Sequence, residues 1–150
     1  MGAMVPLHIV TDSTADIPPH IAAELNITVL PCLIVFGHEA YRDGIDMTNT
    51  EFYARITTSS VLPTTSHPSL GLFGETYERL CRDGGAVLSI HVSARLSSTV
   101  HTALMAAASL PDLPIRVMDS QQLSMGLGWQ AIMAARPSGP GSSRGLLCAG

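Results

Sequence analysis

Two almost uninterrupted apolar segments, residues 27–36 and 86–92, constrain the fold of this chain more than any other feature. Each carries apolar residues on both of the faces that a strand presents. Strands of that kind are typical of parallel sheets whose two faces are both covered by helices. The sequence therefore predicts an α/β fold, with a mostly parallel sheet and helices on both faces.

Shorter segments alternate with these two in the order that such a fold requires. Further strands are predicted at residues 7–11 and 115–118, and residues 40–41 are predicted to form a short strand in a hairpin beside the sheet. The predicted helices begin after Pro18, after the capping box of Thr48 and Glu51, at Leu70, and after the loops at residues 93–99 and 119–124.

The charged residues argue against several classes of function. The basic side chains are eight arginines without a single lysine, and the formal net charge is −4. Nucleic-acid binding depends on clustered contacts to phosphates, so we expect no nucleic-acid partner. Without lysine, the chain can form no Schiff base and has no Walker-type phosphate-binding lysine.

The apolar residues make up 46% of the chain but occur in short segments. The longest is interrupted by Pro31, whereas a membrane-spanning helix needs about 20 apolar residues. The first residues show no basic region followed by an apolar stretch, so no signal peptide is predicted. We expect a cytoplasmic protein without a membrane span, with one domain at residues 1–136. Residues 137–150 have the composition of a disordered tail.

Neither the cysteines nor the histidines show the spacing of a metal site. The three cysteines are irregularly placed and indicate reduced, mostly buried thiols. The six histidines are isolated, and an isolated histidine is usually a surface residue or one with its hydrogen bonds satisfied. We expect no metal, no other cofactor and no catalytic residue.

Two motif matches are discounted for lack of context. The G-x-S-x-G pattern at residues 141–145 has no strand before it, so it is not a nucleophile elbow. Residues 126–131 partly match a dinucleotide fingerprint, but no acidic residue follows Asp119 to hold a ribose. Close packing of a helix on the sheet explains Gly126 and Gly128 better.

Residues 63–69, Pro-Thr-Thr-Ser-His-Pro-Ser, combine four hydroxyl side chains with two prolines. This composition predicts a rigid turn that opens a helix, with Ser66 as the N-cap residue and Pro68 in the first turn. Hydroxyls and free amides at a helix start can hold an anionic oxygen. A simple helix cap is the alternative interpretation.

Three more hydroxyl-rich loops follow predicted strands, at residues 11–16, 93–99 and 119–124. Ligands of parallel sheets collect at the carboxyl ends of the strands, so these loops are predicted to surround one site that residues 63–69 could join. The residues that we expect to line it are Ser13, His67, Ser93 and Ser120.

Two aspartates end predicted strands, Asp12 and Asp119. We expect them to cap the turns that follow rather than to act as catalytic or metal-binding carboxylates. No base is seen to be oriented toward a serine, and His67 has no apparent carboxylate partner. Reasoning from the residues alone therefore favours binding over catalysis.

Five segments together resemble the DegV family, the bacterial fatty-acid-binding proteins that serve as the lipid-presenting subunit of fatty acid kinase. Their order and spacing cover about residues 7–136. The segments are Ile9-Val-Thr-Asp-Ser-Thr-Ala-Asp16, Tyr41-Arg-Asp-Gly-Ile-Asp46, Pro63-Thr-Thr-Ser-His-Pro-Ser69, Ser93-Ala-Arg-Leu-Ser-Ser-Thr99 and Asp119-Ser-Gln-Gln-Leu-Ser-Met-Gly-Leu-Gly128.

The resemblance implies the first α/β domain of a two-domain protein with a lipid tunnel. It implies that a long-chain fatty acid is the ligand, with its carboxylate held by Thr65, Ser66 and Ser97 and by the amide of Ser98. A fatty acid kinase would phosphorylate the presented carboxylate, and this chain would add no chemical step. An apolar channel is then expected beside Ser66 and Ser97.

The chain departs from the family pattern at two positions and in length. His67 stands where the family usually has glutamine, and Ser98 stands where it usually has glycine. The second domain of the family is expected to be absent. Two other hypotheses stay open: a phosphotransfer enzyme domain of related fold that uses His67, and a truncated fragment without binding activity.

Overall fold

The computed structural model describes residues 5–136, and the predicted tail at residues 137–150 lies outside them. The strands are β1 (Leu7–Asp12), β2 (Ile27–Leu30), β3 (Leu33–Phe36), β4 (Glu39–Arg42), β5 (Thr64–Ser66), β6 (Ala86–His91) and β7 (Ile115–Asp119). The helices are α1 (Pro19–Glu24), α2 (Asn49–Thr58), α3 (Leu70–Cys81), α4 (Thr99–Ala108) and α5 (Met125–Ala135).

A four-stranded parallel sheet in the order β2-β1-β6-β7 forms the centre of the fold. Its central strand β1 pairs with β2 through Ile9 and Ile27, and with β6 through Ile9 and Leu88. Each of these strands is joined to the next by a connection containing at least one helix, as parallel strands require. The predicted α/β fold with a mostly parallel sheet is therefore confirmed.

Helices cover both faces of this sheet, because alternate residues of its strands point to opposite sides. On one face, Val10 and Val87 pack against Phe73 and Tyr77 of α3 and against α4. On the other face, Ile9 packs with residues of α1 and α5. The two apolar faces of the strands are thus both buried, which is the reason for their continuous hydrophobicity.

The apolar segment at residues 27–36 is two strands rather than the single strand predicted. Strand β2 belongs to the parallel sheet and ends at Leu30. Strand β3 begins at Leu33 and belongs to a second, three-stranded antiparallel sheet with the order β4-β3-β5. Pro31 lies between them, and a proline has no N–H to continue a ladder of hydrogen bonds. The break sends the chain from one sheet into the other.

The small sheet carries the predicted hairpin, formed by β3 and β4, and α2 packs against it. Ile34 and Phe36 are buried there, with Phe52 of α2 beside them. The guanidinium carbon of Arg55 lies 4.8 Å from the centre of the Phe36 ring and 5.0 Å from that of Tyr41. Stacking of this kind fastens α2 to the sheet.

The capping box of α2 is present as predicted, and we expect Thr48→Ala to lower the free energy of unfolding by about 1 kcal/mol. Thr48 Oγ1 accepts from the amide of Glu51 at 3.3 Å, and Glu51 Oε2 accepts from the amide of Thr48 at 2.7 Å. Urea denaturation measures the loss. Thr50→Ala is the control, because this exposed threonine makes no side-chain hydrogen bond within residues 5–136. Equal stability of both variants would contradict the prediction.

Candidate functional site

The loops that follow β1, β6 and β7 meet at the carboxyl edge of the parallel sheet. The amide of Val92, after β6, donates to Asp12 Oδ2 at 3.2 Å. The amide of Ser120, after β7, donates to the carbonyl of His91 at 3.0 Å. The amide of Ser93 donates to the carbonyl of Gln122, also at 3.0 Å. Three of the predicted hydroxyl-rich loops are therefore held together.

Strand β5 is connected to the same edge through the turn after β1. Ser13 Oγ accepts from the amide of Cys32 at 3.0 Å, which fixes the passage from β2 to β3. The next residue, Leu33, pairs with Ser66 in the antiparallel ladder, and Ile34 pairs with Thr65. Opposite residues of such a ladder lie about 5 Å apart, so β5 follows the position of the β1 turn.

The prediction that Ser66 caps a helix is wrong. Thr64–Ser66 forms β5, and the N-cap residue of α3 is Ser69, whose Oγ accepts from the amide of Leu72 at 3.2 Å. Pro68 precedes the cap and is buried, rather than lying in the first turn. Pairing with β3 supplies backbone hydrogen bonds to these residues, and this non-local pairing outweighs the local helix-start signal.

Three of the predicted ligands have side-chain hydroxyls without a hydrogen-bond partner in the described part of the chain. Thr65, Ser66 and Ser98 are exposed, and their side chains make no hydrogen bond within residues 5–136. Ser98 also stands at the N-cap position of α4 without capping it. His67, which is half-buried, likewise makes no side-chain hydrogen bond in the described part of the chain. These hydroxyls are available to a ligand.

The remaining predicted residues make hydrogen bonds within their own loops or to the neighbouring one. Ser97 Oγ lies 2.8 Å from Thr99 Oγ1 and accepts from the amide of Thr99. Ser93 Oγ accepts from the amide of Arg95 at 3.3 Å, and Ser120 Oγ accepts from the amide of Gln122 at 3.1 Å. Together with the bond of Ser13, these contacts give the loops fixed shapes.

Both strand-end aspartates cap turns, as predicted. Asp12 Oδ1 accepts from the amide of Thr14 at 3.1 Å. Asp119 Oδ1 accepts from the amides of Gln121 and Ala94, at 2.8 and 3.2 Å. Asp12 differs from Asp119 because its second oxygen reaches into the interior.

A buried hydrogen-bond chain runs from Tyr77 to Asp12, and sequence reasoning missed it. Tyr77 Oη donates to Ser89 Oγ at 2.8 Å, Ser89 Oγ lies 2.6 Å from His91 Nε2, and His91 Nδ1 lies 2.8 Å from Asp12 Oδ2. All four side chains are 0% exposed. The expectation that no base is oriented toward a serine is thus wrong, since Ser89, His91 and Asp12 have the hydrogen-bond order of a serine-hydrolase triad.

The electrostatics of this chain favour an ionised Asp12. Burial raises the pKa of Asp12, but the hydrogen bond and charge of His91, with the bonds from Thr14 and Val92, outweigh burial and lower it below its ordinary value. The carboxylate then accepts from Nδ1–H of His91, and Nε2 lies 2.6 Å from Ser89 Oγ. Because Ser89 has no exposed surface, it cannot attack a substrate in this conformation.

One signal could have pointed to the chain. Ser89 and His91 are polar residues two apart in the otherwise apolar segment at residues 86–92, so they lie on one face of a strand. Asp12, the hydrogen-bond partner of His91, is 79 residues away from it in the sequence. Only the pairing of β1 with β6 brings the two side chains together.

Cys32 and Cys81 are buried, as predicted, and are free thiols in the described part of the chain, whereas Cys148 lies outside it. Burial raises the pKa of Cys32 to about 11, so the thiol stays protonated near neutral pH. Residues 5–136 contain no cluster of three or more metal-binding side chains. None of their helices has the length and apolar character needed to cross a membrane.

The surface of residues 5–136 includes two open clefts. The larger, about 590 Å³, lies at the amino ends of β1 and β2, away from the predicted ligands, with Leu7, His8 and Ile27 in its wall. The smaller, about 440 Å³, lies between the loops after β6 and β7, where Arg95 and Leu123 line it. Ser66 and Ser97 line neither cleft, so neither is the apolar channel expected beside them.

Comparison with known proteins places this fold and these loops in one family. The family model described as "Uncharacterised protein, DegV family" matches residues 6–144. A DegV domain-containing protein of Halalkalibacterium halodurans is 42% identical over 118 residues, which are 78% of this chain and 42% of that protein.

Solved structures give the same result. DegV from Bacillus subtilis, described as a fatty acid binding protein, has a TM-score of 0.82 and 34% identity, covering 88% of this chain and 47% of that one. A DegV family protein from Thermus thermophilus, described by its fatty acid binding, has a TM-score of 0.80 and 34% identity, covering 87% of this chain and 46% of that one. This chain spans about half the length of these relatives. With a family match over nearly all of its residues, the chain belongs to the DegV family.

Proposed function

We propose that this chain binds a long-chain fatty acid and holds its carboxylate with the hydroxyls of Thr65, Ser66 and Ser97 and the amide of Ser98. The observation that carries the proposal is the pair of exposed hydroxyls on β5, Thr65 and Ser66, which make no hydrogen bond within residues 5–136. Support comes from the two related structures that are described as fatty-acid-binding proteins.

The donors suit a carboxylate. A carboxylate oxygen accepts several hydrogen bonds, and those from neutral donors to a charged acceptor are stronger than bonds between neutral groups. The first turn of α4, which begins at Thr99, adds amides without partners inside the helix, and their dipoles favour an anion. Ser98 carries a further hydroxyl at the start of these amides, and it makes no hydrogen bond to the described residues.

The partner in this proposal is the catalytic subunit of a fatty acid kinase, which would phosphorylate the presented carboxylate. Exposure of Thr65, Ser66 and Ser98 would leave a head group bound there within reach of a second protein. The chain itself would perform no chemical step. A cytoplasmic location is part of the proposal, and the free thiols of Cys32 and Cys81 suit a reducing compartment.

The test is native mass spectrometry of the purified chain, followed by titration with oleate. We expect a co-purified long-chain acid and an affinity for oleate that falls about tenfold or more in Thr65→Ala/Ser66→Ala, because hydrogen bonds to a charged group are lost. The matched control is Thr50→Ala/Ser60→Ala, which removes two exposed hydroxyls that also make no hydrogen bond within residues 5–136.

Three outcomes would contradict the proposal. Protein without lipid that also fails to take up oleate would behave as a fragment without binding activity. Equal loss of affinity in both double variants would show that the β5 hydroxyls are not ligands. Transfer of a phosphoryl group to His67 from a phosphate donor would favour the phosphotransfer hypothesis instead.

A further inference from the structure

The chain of Tyr77, Ser89, His91 and Asp12 has no part in the contacts proposed for the ligand, yet its hydrogen bonds are complete. Its links measure 2.8, 2.6 and 2.8 Å, and all four side chains are fully buried. Apolar residues of similar volume often fill such positions at no cost to stability. The best-attested role of buried polar groups is to set the geometry of the groups around them, and we expect that role here.

Asp12 is the junction of this chain with the site. On the side of β6, His91 Nδ1 lies 2.8 Å from Asp12 Oδ2, and the amide of Val92 donates to the same oxygen at 3.2 Å. From its own turn its Oδ1 receives the amide and the hydroxyl of Thr14. One buried carboxylate thus ties the loop after β1 to the loop after β6.

Each of the two loops is connected to a proposed ligand through further backbone contacts. Ser13, next to Asp12, accepts from the amide of Cys32 at 3.0 Å, and the residue after Cys32 pairs with Ser66. On the other side, the carbonyl of Ser93 accepts from the amide of Ser97 at 3.2 Å. The position of Asp12 relative to His91 therefore sets the position of one group of hydroxyls relative to the other.

We propose that Asp12 and His91 are positioning residues of the head-group site, holding the β5 hydroxyls and the serine loop at the spacing that a carboxylate bridges. This buried hydrogen-bond chain would in this way make the site select a carboxylate over a neutral head group. This inference rests on the function proposed above. Interrupting the hydrogen bonds between Asp12, His91 and Ser89 changes recognition of the head group and leaves the binding of the hydrocarbon unchanged.

The test compares binding of radiolabelled oleate and oleyl alcohol, which share a hydrocarbon chain and differ in the head group. Wild type binds oleate more tightly. His91→Leu lowers the affinity for oleate about tenfold, the equivalent of one lost hydrogen bond to a charged group, and that for oleyl alcohol less than about twofold. His91→Gln restores much of the preference, because its amide can donate to Asp12 and accept from Ser89.

Two further variants keep the test decisive. Val87→Ala creates a cavity on the same face of β6 without touching the hydrogen bonds, and it leaves the preference for oleate unchanged. If His91→Leu fails to fold, Ser89→Ala removes one link and shifts the preference in the same direction by a smaller factor.

The outcomes separate this inference from the proposed function. Equal loss of both ligands in His91→Leu, or an unchanged preference in His91→Leu and Ser89→Ala, overturns the positioning role and leaves fatty acid binding in place. Wild type that binds both ligands equally also overturns only the positioning role. Wild type that binds neither overturns the proposed function, and the inference falls with it.

Discussion

Replacing Asp12 with asparagine should lower the free energy of unfolding by about 3 kcal/mol at neutral pH, because buried donors lose a charged acceptor and each such hydrogen bond contributes about 1.5–3 kcal/mol. The carboxylate receives hydrogen bonds from His91, Val92 and Thr14 in a site without solvent exposure. An asparagine offers one acceptor oxygen and turns an N–H₂ group toward donors, so buried donors lose their partner. Urea denaturation followed by circular dichroism measures the difference.

The matched control is Asp119→Asn, at the end of another strand of the same sheet. Asp119 accepts from two backbone amides through one oxygen, Oδ1, which asparagine retains. We expect a loss of about 1 kcal/mol or less. Similar losses in the two variants would show that the buried bond to His91 contributes little.

The difference between wild type and Asp12→Asn should depend on pH. The pKa of Asp12 is lower in the folded protein than its ordinary value of 3.8, so the folded state favours the ionised form. That contribution is fully present above the unfolded pKa and is lost as pH falls through the folded pKa. The two proteins should differ most in stability above about pH 5 and converge below about pH 4. A constant difference down to pH 3 would contradict an ionised Asp12.

The second large effect is expected for Gly128→Ala in α5, which should cost about 3 kcal/mol, the upper part of the range for overpacking. A Cβ built on Gly128 would lie 2.4 Å from the carbonyl oxygen of Ala15 and 3.2 Å from Ile17 Cγ1. The first contact is with backbone in the turn after β1, which cannot rotate away. Thermal unfolding would show the loss as a lower melting temperature.

Gly126→Ala is the control on the same helix. Its Cβ would meet the Gln122 side chain, with Oε1 at 2.8 Å and Cβ at 3.2 Å, and the end of this exposed side chain can rotate away. Since alanine favours a helix more than glycine by about 1 kcal/mol, we expect no loss or a small gain. Close packing of the helix thus explains Gly128, although against the turn after β1 rather than against the sheet as predicted, and it does not explain Gly126. Equal losses in the two variants would contradict this distinction.

Much of the architecture could be predicted because its signals are local. The alternation of apolar strands with helical periodicity depends on neighbouring residues, as does the capping box of Thr48 and Glu51. The hairpin of β3 and β4 likewise connects residues close in sequence, through a turn with Gly37 at φ +61°. These elements formed where the pattern placed them.

The hydroxyl-rich loops were also visible in the sequence, but the state of each hydroxyl was not. Ser13, Ser93 and Ser120 bond to backbone groups of the loops, whereas Thr65 and Ser66 bond to no protein group in the described residues. Composition treats all five alike. Only the folded loops distinguish a hydroxyl that fixes a turn from one that a ligand can use.

By itself, the sequence determined the α/β class and the loops at the carboxyl edge, because apolar periodicity, caps and turn residues act over a few positions, and the resemblance of five segments indicated the family. The tertiary structure alone decided that residues 64–66 pair as a strand with β3 and that Asp12 meets His91. Both depend on which strands lie side by side, which is set by burial of apolar faces across the whole sheet. Contacts between residues 79 positions apart leave no periodicity that a local pattern can report.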